Sequence, residues 1–143
     1  MKYTLIIDEE KDEELVLRVK ERSEIVDKIE QLLKESESTL LAYRAEDVMC
    51  IQPNDADCFF TDGGRVYLYL GKEKYLTKVR LCQIEQMLGA DFIKINQGCI
   101  INVRRVKKFK STIGGSLAVV LKNGFTDCVA RRELKNVKRR FGL

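Results

Sequence analysis

From about residue 40 onward the chain is a succession of short apolar runs, each four to six residues long and closed by turn-forming residues. Runs this short suit antiparallel strands, whereas helices need at least about ten residues of sustained 3.6-residue periodicity. A bilayer-crossing helix needs about 20 apolar residues and is absent from the pattern. Candidate strands are residues 40–44, 48–51, 58–61, 65–70, 92–95, 99–103, 117–121 and 125–129. Within 65–70, Val66, Leu68 and Leu70 take one face and Tyr67 and Tyr69 the other.

The punctuation agrees with this reading. Pro53 opens a turn with Asn54 and Asp55, and Gly63-Gly64 and Gly114-Gly115 separate strand-like runs. Asn123-Gly124 is a hairpin signal, because both residues tolerate positive φ. Val106 and Phe109 lie in a lysine-rich strand or extended loop. Leu81, Ile84, Met87 and Leu88 mark a short amphipathic helix, with Gly89 placed for a C-cap. Leu134, Val137 and Phe141 make the core stripe of a last helix whose other faces are basic.

The first 38 residues differ. Residues 4–7 and 15–19 read as two strands around an acidic loop, 8–14. Ser23 is placed to cap a helix with Glu24 and Asp27 in its first turn. Ile25, Ile29, Leu32 and Leu33 then form an apolar stripe, expected to pack on the body or on a sister subunit. The expected fold is therefore mainly β with flanking helices, an α+β protein. A strand-strand-helix segment, residues 1–38, is expected to precede one domain, 39–143, as a candidate dimerisation or docking element.

Chemistry is constrained next. There is no histidine, which removes the commonest general base near neutral pH. No GxSxG, P-loop or GxGxxG pattern occurs, so the chain is not expected to be an enzyme or to need a cofactor. Five cysteines are scattered without a CxxC pair, which points away from zinc and toward buried reduced thiols. The start lacks the features of a signal peptide, and a soluble cytoplasmic protein is expected.

Charge supplies the first functional clue. Residues 1–40 carry seven Lys/Arg against twelve Asp/Glu, a net of −5. Residues 91–143 carry thirteen against three, a net of +10. Such a concentration repels itself and attracts polyanions, with counterion release from phosphates as the main source of sequence-independent affinity.

The order of the elements then resembles a family. Phe92-Ile93-Lys94-Ile95-Asn96-Gln97-Gly98-Cys99-Ile100-Ile101-Asn102 is similar to the centre of the LytTR-type DNA-binding domain: an aromatic, a basic residue, a polar loop and an apolar strand ending in Asn. The helix over 81–89 precedes it, and Val129-Ala130-Arg131-Arg132 resembles the family's closing Val-Ser-Arg-Arg. The resemblance covers roughly residues 40–143. It implies an elongated β fold of about ten strands without a helix-turn-helix, whose loops enter successive major grooves. It implies a bacterial transcription regulator acting on duplex DNA at paired direct repeats, with a homodimer on DNA. The short prefix leaves no room for a receiver domain, so the chain resembles small stand-alone regulators. Those are often encoded beside a small membrane protein; no membrane insertion of the chain itself is expected.

Three contact regions follow by position from the resemblance. In the Asp62-Gly63-Gly64-Arg65 loop, Gly64 offers no side chain to a base and Arg65 is a phosphate candidate. In the second, Lys94 is a phosphate candidate while Asn96 and Gln97 are base candidates, their amides being suited to adenine. In the third, Arg132 is placed at a base and Arg131 at a phosphate, with Ala130 where the family usually has Ser. Lys107 and Lys108 are further phosphate candidates.

Each has a plainer alternative. Asn96 and Gln97 are also ordinary turn residues, and Asn102 suits a structural backbone bond. The lysines at 107, 108 and 110 suit a protected strand edge, and Tyr67 and Tyr69 suit sheet packing. At the level of the whole chain, the competing readings are a single-strand or RNA binder and a protein-interaction module or anti-regulator. The last would sequester a partner through Ile25, Ile29 and Leu33.

Overall fold

The computed structural model describes residues 2–12, 14–37 and 39–143. Helix α1 (Glu24–Glu37) leads into strands β1 (Leu40–Arg44) and β2 (Asp47–Ile51), then a 3-10 turn at Pro53–Asp55. Strands β3 (Cys58–Asp62), β4 (Arg65–Leu70) and β5 (Glu73–Thr77) follow, then α2 (Leu81–Met87), β6 (Phe92–Asn96) and β7 (Cys99–Asn102). A second 3-10 turn, Val103–Arg105, precedes β8 (Val106–Ser111), β9 (Leu117–Leu121), β10 (Thr126–Val129) and the final helix α3 (Arg131–Phe141).

The strands make two antiparallel sheets, one of seven in the order β2-β1-β5-β4-β3-β7-β6 and one of three in the order β10-β9-β8. The larger sheet carries a core on each face, while β2 at its edge is exposed except for Ile51. On one, Phe59, Leu68, Tyr75 and Ile100 meet Leu81 and Ile84 of α2. On the other, Cys58, Cys99, Ile101, Ile93 and Ile95 meet Val119 and Leu121 of the small sheet and Val137 of α3. Period-two alternation assigns successive residues of β3 and β7 to different cores, which is why both read as continuous apolar runs. Val66 and Leu70 join Leu68 on the first face while Tyr69 lies on the second, as their alternation predicts. In α3, Leu134 and Phe141 flank buried Val137, and the Phe141 ring meets Phe109 edge-on at 4.8 Å.

Several expectations are corrected. Residues 4–7 and 15–19 join neither sheet, and Leu5, Ile6, Ile7, Leu15 and Val16 remain exposed. A lone two-stranded hairpin buries too little apolar surface to hold its ladder in water. Among the described side chains of α1 the buried one is Val26, while Ile25 and Leu32 of the expected stripe face solvent. Strand β5 was not foreseen, because Lys72, Glu73 and Lys74 mask its start; its pairing with β4 over five positions supplies what propensity does not. Gly89 does not cap α2: the helix ends at Met87 with extended Leu88 as its C-cap, and Gly89 N–H donates to Asn54 Oδ1 at 3.0 Å. At Asn123-Gly124 only Gly124 takes a positive φ, 96°. The turn is closed by Gly124 N–H donating to Leu121 O and Leu121 N–H to Phe125 O, so it is a longer hairpin loop with one left-handed glycine. Of the cysteines, Cys58 and Cys99 are buried, but Cys50, Cys82 and Cys128 are exposed; all five are free.

No helix among the described residues is long and apolar enough to cross a membrane.

Candidate nucleic-acid interface

Sheet register brings separate turns to one end of the larger sheet. Asp62 pairs with Arg65 across the Gly63-Gly64 turn, Phe60 pairs with Cys99 just beyond the Asn96-Gln97-Gly98 turn, and Val66 pairs with Thr77. The first two turns are in direct contact: Thr61 N–H donates to Gly98 O at 2.8 Å. Gly63 and Gly64 both have positive φ, 57° and 78°, as a two-residue hairpin turn requires. Gly98 is needed for a different reason, since a Cβ there would lie 2.5 Å from Thr61 Oγ1.

The third region joins through β10. Ala130 N–H donates to Ile95 O at 2.8 Å, which sets the start of α3 beside the second turn. Arg131 and Arg132 follow immediately and are exposed. Ala130 gives the first turn of α3 no side-chain cap.

The side chains divide into engaged and available groups. Asn96 is engaged: its Nδ2 donates to Asp127 Oδ2 at 3.1 Å and to Cys128 O at 2.9 Å, and its Oδ1 accepts from Gly98 N–H at 2.9 Å. Register shifts between Lys94 and Asn96, and such a bulge re-aims a side chain. Gln97 is exposed at the tip of the turn. Lys94 is half-buried in β6. Asn102 is buried and structural, donating to Ala56 O and accepting from Arg104 N–H.

The cations divide in the same way. Arg104 pairs with Asp91 at 3.0 Å, Arg105 lies 3.9 Å from buried Asp57, and Arg140 reaches Ala90 O at 3.4 Å. Arg65, Lys94, Lys107, Lys108, Arg131 and Arg132 form no ion pair among the described residues. Lys107 and Lys108 lie on β8, the edge of the small sheet and about 10 Å from β10 by ordinary strand spacing.

Lys78 and Arg80 were missed in the sequence. They line an open cavity of about 330 Å³ with Gly64 and Arg65, beside the first turn. Only the pairing of the unforeseen β5 with β4 brings them there, and no linear signal marks them. Tyr67 and Tyr69 are packing residues, stacked on Phe60 at 5.7 and 5.6 Å.

The thiols of Cys58 and Cys99 are both pushed upward in pKa, chiefly by burial, so they stay protonated and apolar in character.

Known proteins share this fold. The family model of the LytTr DNA-binding domain fits residues 46–142. The chain belongs to this family. A LytTr DNA-binding domain from Bacillus cereus superposes with a TM-score of 0.67 at 16% identity, covering 75% of this chain and 99% of that one. Two proteins named as uncharacterized HTH-type transcriptional regulators, from Staphylococcus aureus strains COL and MRSA252, are each 27% identical over 105 residues, 73% of this chain and 71% of theirs. In this LytTr chain no two described helices are consecutive: α1 and α2 are separated by five strands, and α2 and α3 by another five.

Proposed function

We propose that this LytTr protein is a bacterial, cytoplasmic transcription regulator that binds duplex DNA sequence-specifically at paired direct repeats. Gln97 and Arg132 read bases; Arg65, Lys94, Arg131, Lys107 and Lys108 hold phosphates. One observation carries the reading: unpaired cations and an exposed amide, distant in sequence, gather where the turns and the start of α3 meet. Gln97 can present donor and acceptor together to adenine N7 and N6, and Arg132 to guanine O6 and N7. Asn96 is a poor base reader by comparison, because a bidentate contact would cost it three internal hydrogen bonds.

Selection of bound fragments from random duplex DNA tests this. Recovered fragments should carry one motif twice in the same orientation. Arg132→Ala should relax one position at a cost of about 1–3 kcal/mol, while Lys107→Ala and Lys108→Ala should weaken all duplexes alike and lower the salt slope by about one each. Binding indifferent to sequence at stringent salt overturns the proposal.

A second reading concerns the prefix. Tyr3, Leu5, Ile6, Ile7, Leu15 and Val16 are 56–90% exposed, and Ile25 and Leu32 of α1 add to them. Exposed apolar side chains of this kind suit an interface, which at standard size buries about 800 Å² per partner. The occupant that fits is a second copy of this chain, which carries two modules to one DNA and raises avidity. Sedimentation of the full chain should show a dimer that an Ile6→Lys/Val16→Lys variant loses. A wild-type monomer at all concentrations overturns it.

A further inference from the structure

Asp127 is out of place on electrostatic grounds. It is one of three acids in the basic stretch 91–143, alongside Asp91 and Glu133. Asp91 is neutralised by Arg104, but Asp127 has no cation partner among the described residues. A lone carboxylate bonded to Asn96, the chain neighbour of Gln97, repels phosphate and weakens DNA binding. Its contacts point to what offsets that cost. Oδ2 accepts from Asn96 Nδ2 at 3.1 Å, and Oδ1 accepts from Cys128 N–H at 2.8 Å. The nearby Cys99 thiol is buried and stays protonated, so it adds no charge of its own.

Asn96 completes the link. Its second Nδ2 proton goes to Cys128 O, and its Oδ1 holds Gly98 N–H, closing the turn that displays Gln97. Beyond Cys128 the chain continues through Val129 and Ala130 into Arg131 and Arg132. The pair therefore ties two recognition regions that are 35 positions apart in sequence, Gln97 to Arg132. We propose that Asn96 and Asp127 form a positioning pair that sets the spacing between Gln97 and Arg132, and so governs sequence discrimination without touching a base. This rests on the DNA-reading proposal above.

The mechanism is geometric. Base readout needs donors and acceptors held within a few tenths of an ångström of their partners, and groups locked by packing and further hydrogen bonds supply that precision. Phosphate contacts tolerate more slack and carry no sequence information. Loss of the pair should therefore damage specific binding and spare non-specific binding.

The test uses the full-length chain and the duplex selected above, with a scrambled duplex as reference, at several salt concentrations. Thermal midpoints of every variant are measured in parallel. Asp127→Ala should bind scrambled DNA more tightly, because a repulsive charge is gone. Its selected-to-scrambled affinity ratio should fall at least about tenfold, the size of one lost base-pair preference. Asp127→Asn keeps an acceptor oxygen for Asn96 and should restore most of the ratio. Asn96→Ala should lose preference at the positions read by both Gln97 and Arg132.

Four results overturn the proposal. The first is an unchanged ratio in Asp127→Ala. The second is loss of preference at a single position in Asn96→Ala while Asp127→Ala retains all of them, for then Asn96 reads a base itself. The third is a fall of selected and scrambled affinities together with the folded fraction, for then the pair serves stability alone. A wild-type ratio of one removes the DNA-reading proposal, and the pair's role with it; retention of the wild-type preference by Asp127→Ala removes only the pair's role.

Discussion

Two turns at the same end of the larger sheet are built in opposite ways. The Gly63-Gly64 turn closes with two left-handed glycines, and a Cβ added to either would meet nothing within 4 Å. The Asn96-Gln97-Gly98 turn is fastened from three directions, by Thr61, by Asp127 and by Cys128 O. The first presents only backbone and the neighbouring Arg65; the second presents a single free amide on a rigid mount. Affinity tolerates the first arrangement, and discrimination needs the second.

The largest expected effect on this contrast comes from pH. Behind the fastened turn, the Cys99 thiol and the nearby Cys58 thiol are raised in pKa by burial. Once pH passes the unfolded thiol value of about 8.5, the unfolded chain releases these protons and the folded chain keeps them. Each thiol then removes about 1.4 kcal/mol of stability per pH unit, so stability is fully present below that value and is lost as pH rises. Denaturant unfolding between pH 8 and 10 should show this slope, and Cys99→Ala should reduce it; an unchanged slope in that variant would refute the assignment.

Next in size is Gly98→Ala. Its Cβ would lie 2.5 Å from Thr61 Oγ1, and such overpacking costs about 1–3 kcal/mol. Adding Thr61→Ala removes the obstructing hydroxyl and should recover much of the loss in a double-mutant cycle. Equal losses in the single and double variants would show that the two turns are not in the contact described.

The smallest effect is expected at the open turn. Gly64→Asn places a residue that tolerates the left-handed region at φ +78°, with free space around it, so stability should change by less than about 1 kcal/mol. Because it adds an amide beside Arg65, selection from random duplexes should reveal a base preference the parent protein lacks. An identical selected motif would mean that this turn does not approach base edges.

Much of the fold was legible because strand signals are local. The runs at 40–44, 65–70 and 117–121 match β1, β4 and β9 residue for residue, since alternation and turn chemistry coincide there. Strand β5 was hidden because its first residues are charged and its support comes from β4 and β1. The prefix misled in the other direction: residues 4–7 and 15–19 have strand composition but join neither sheet.

The sequence by itself determined the sheet-forming module, its two-sided strands, its basic end and its kinship with the LytTr family. Those follow from periodicity, charge and short ordered motifs, all readable along the chain. Only the tertiary structure decided which cations are already paired, which glycine is held by a close neighbour, and that Asn96 is spent on Asp127 and Cys128 while Gln97 stands free. The reason is physical. A side chain's availability depends on partners contributed by other strands, and for Asn96 those partners lie more than thirty residues away.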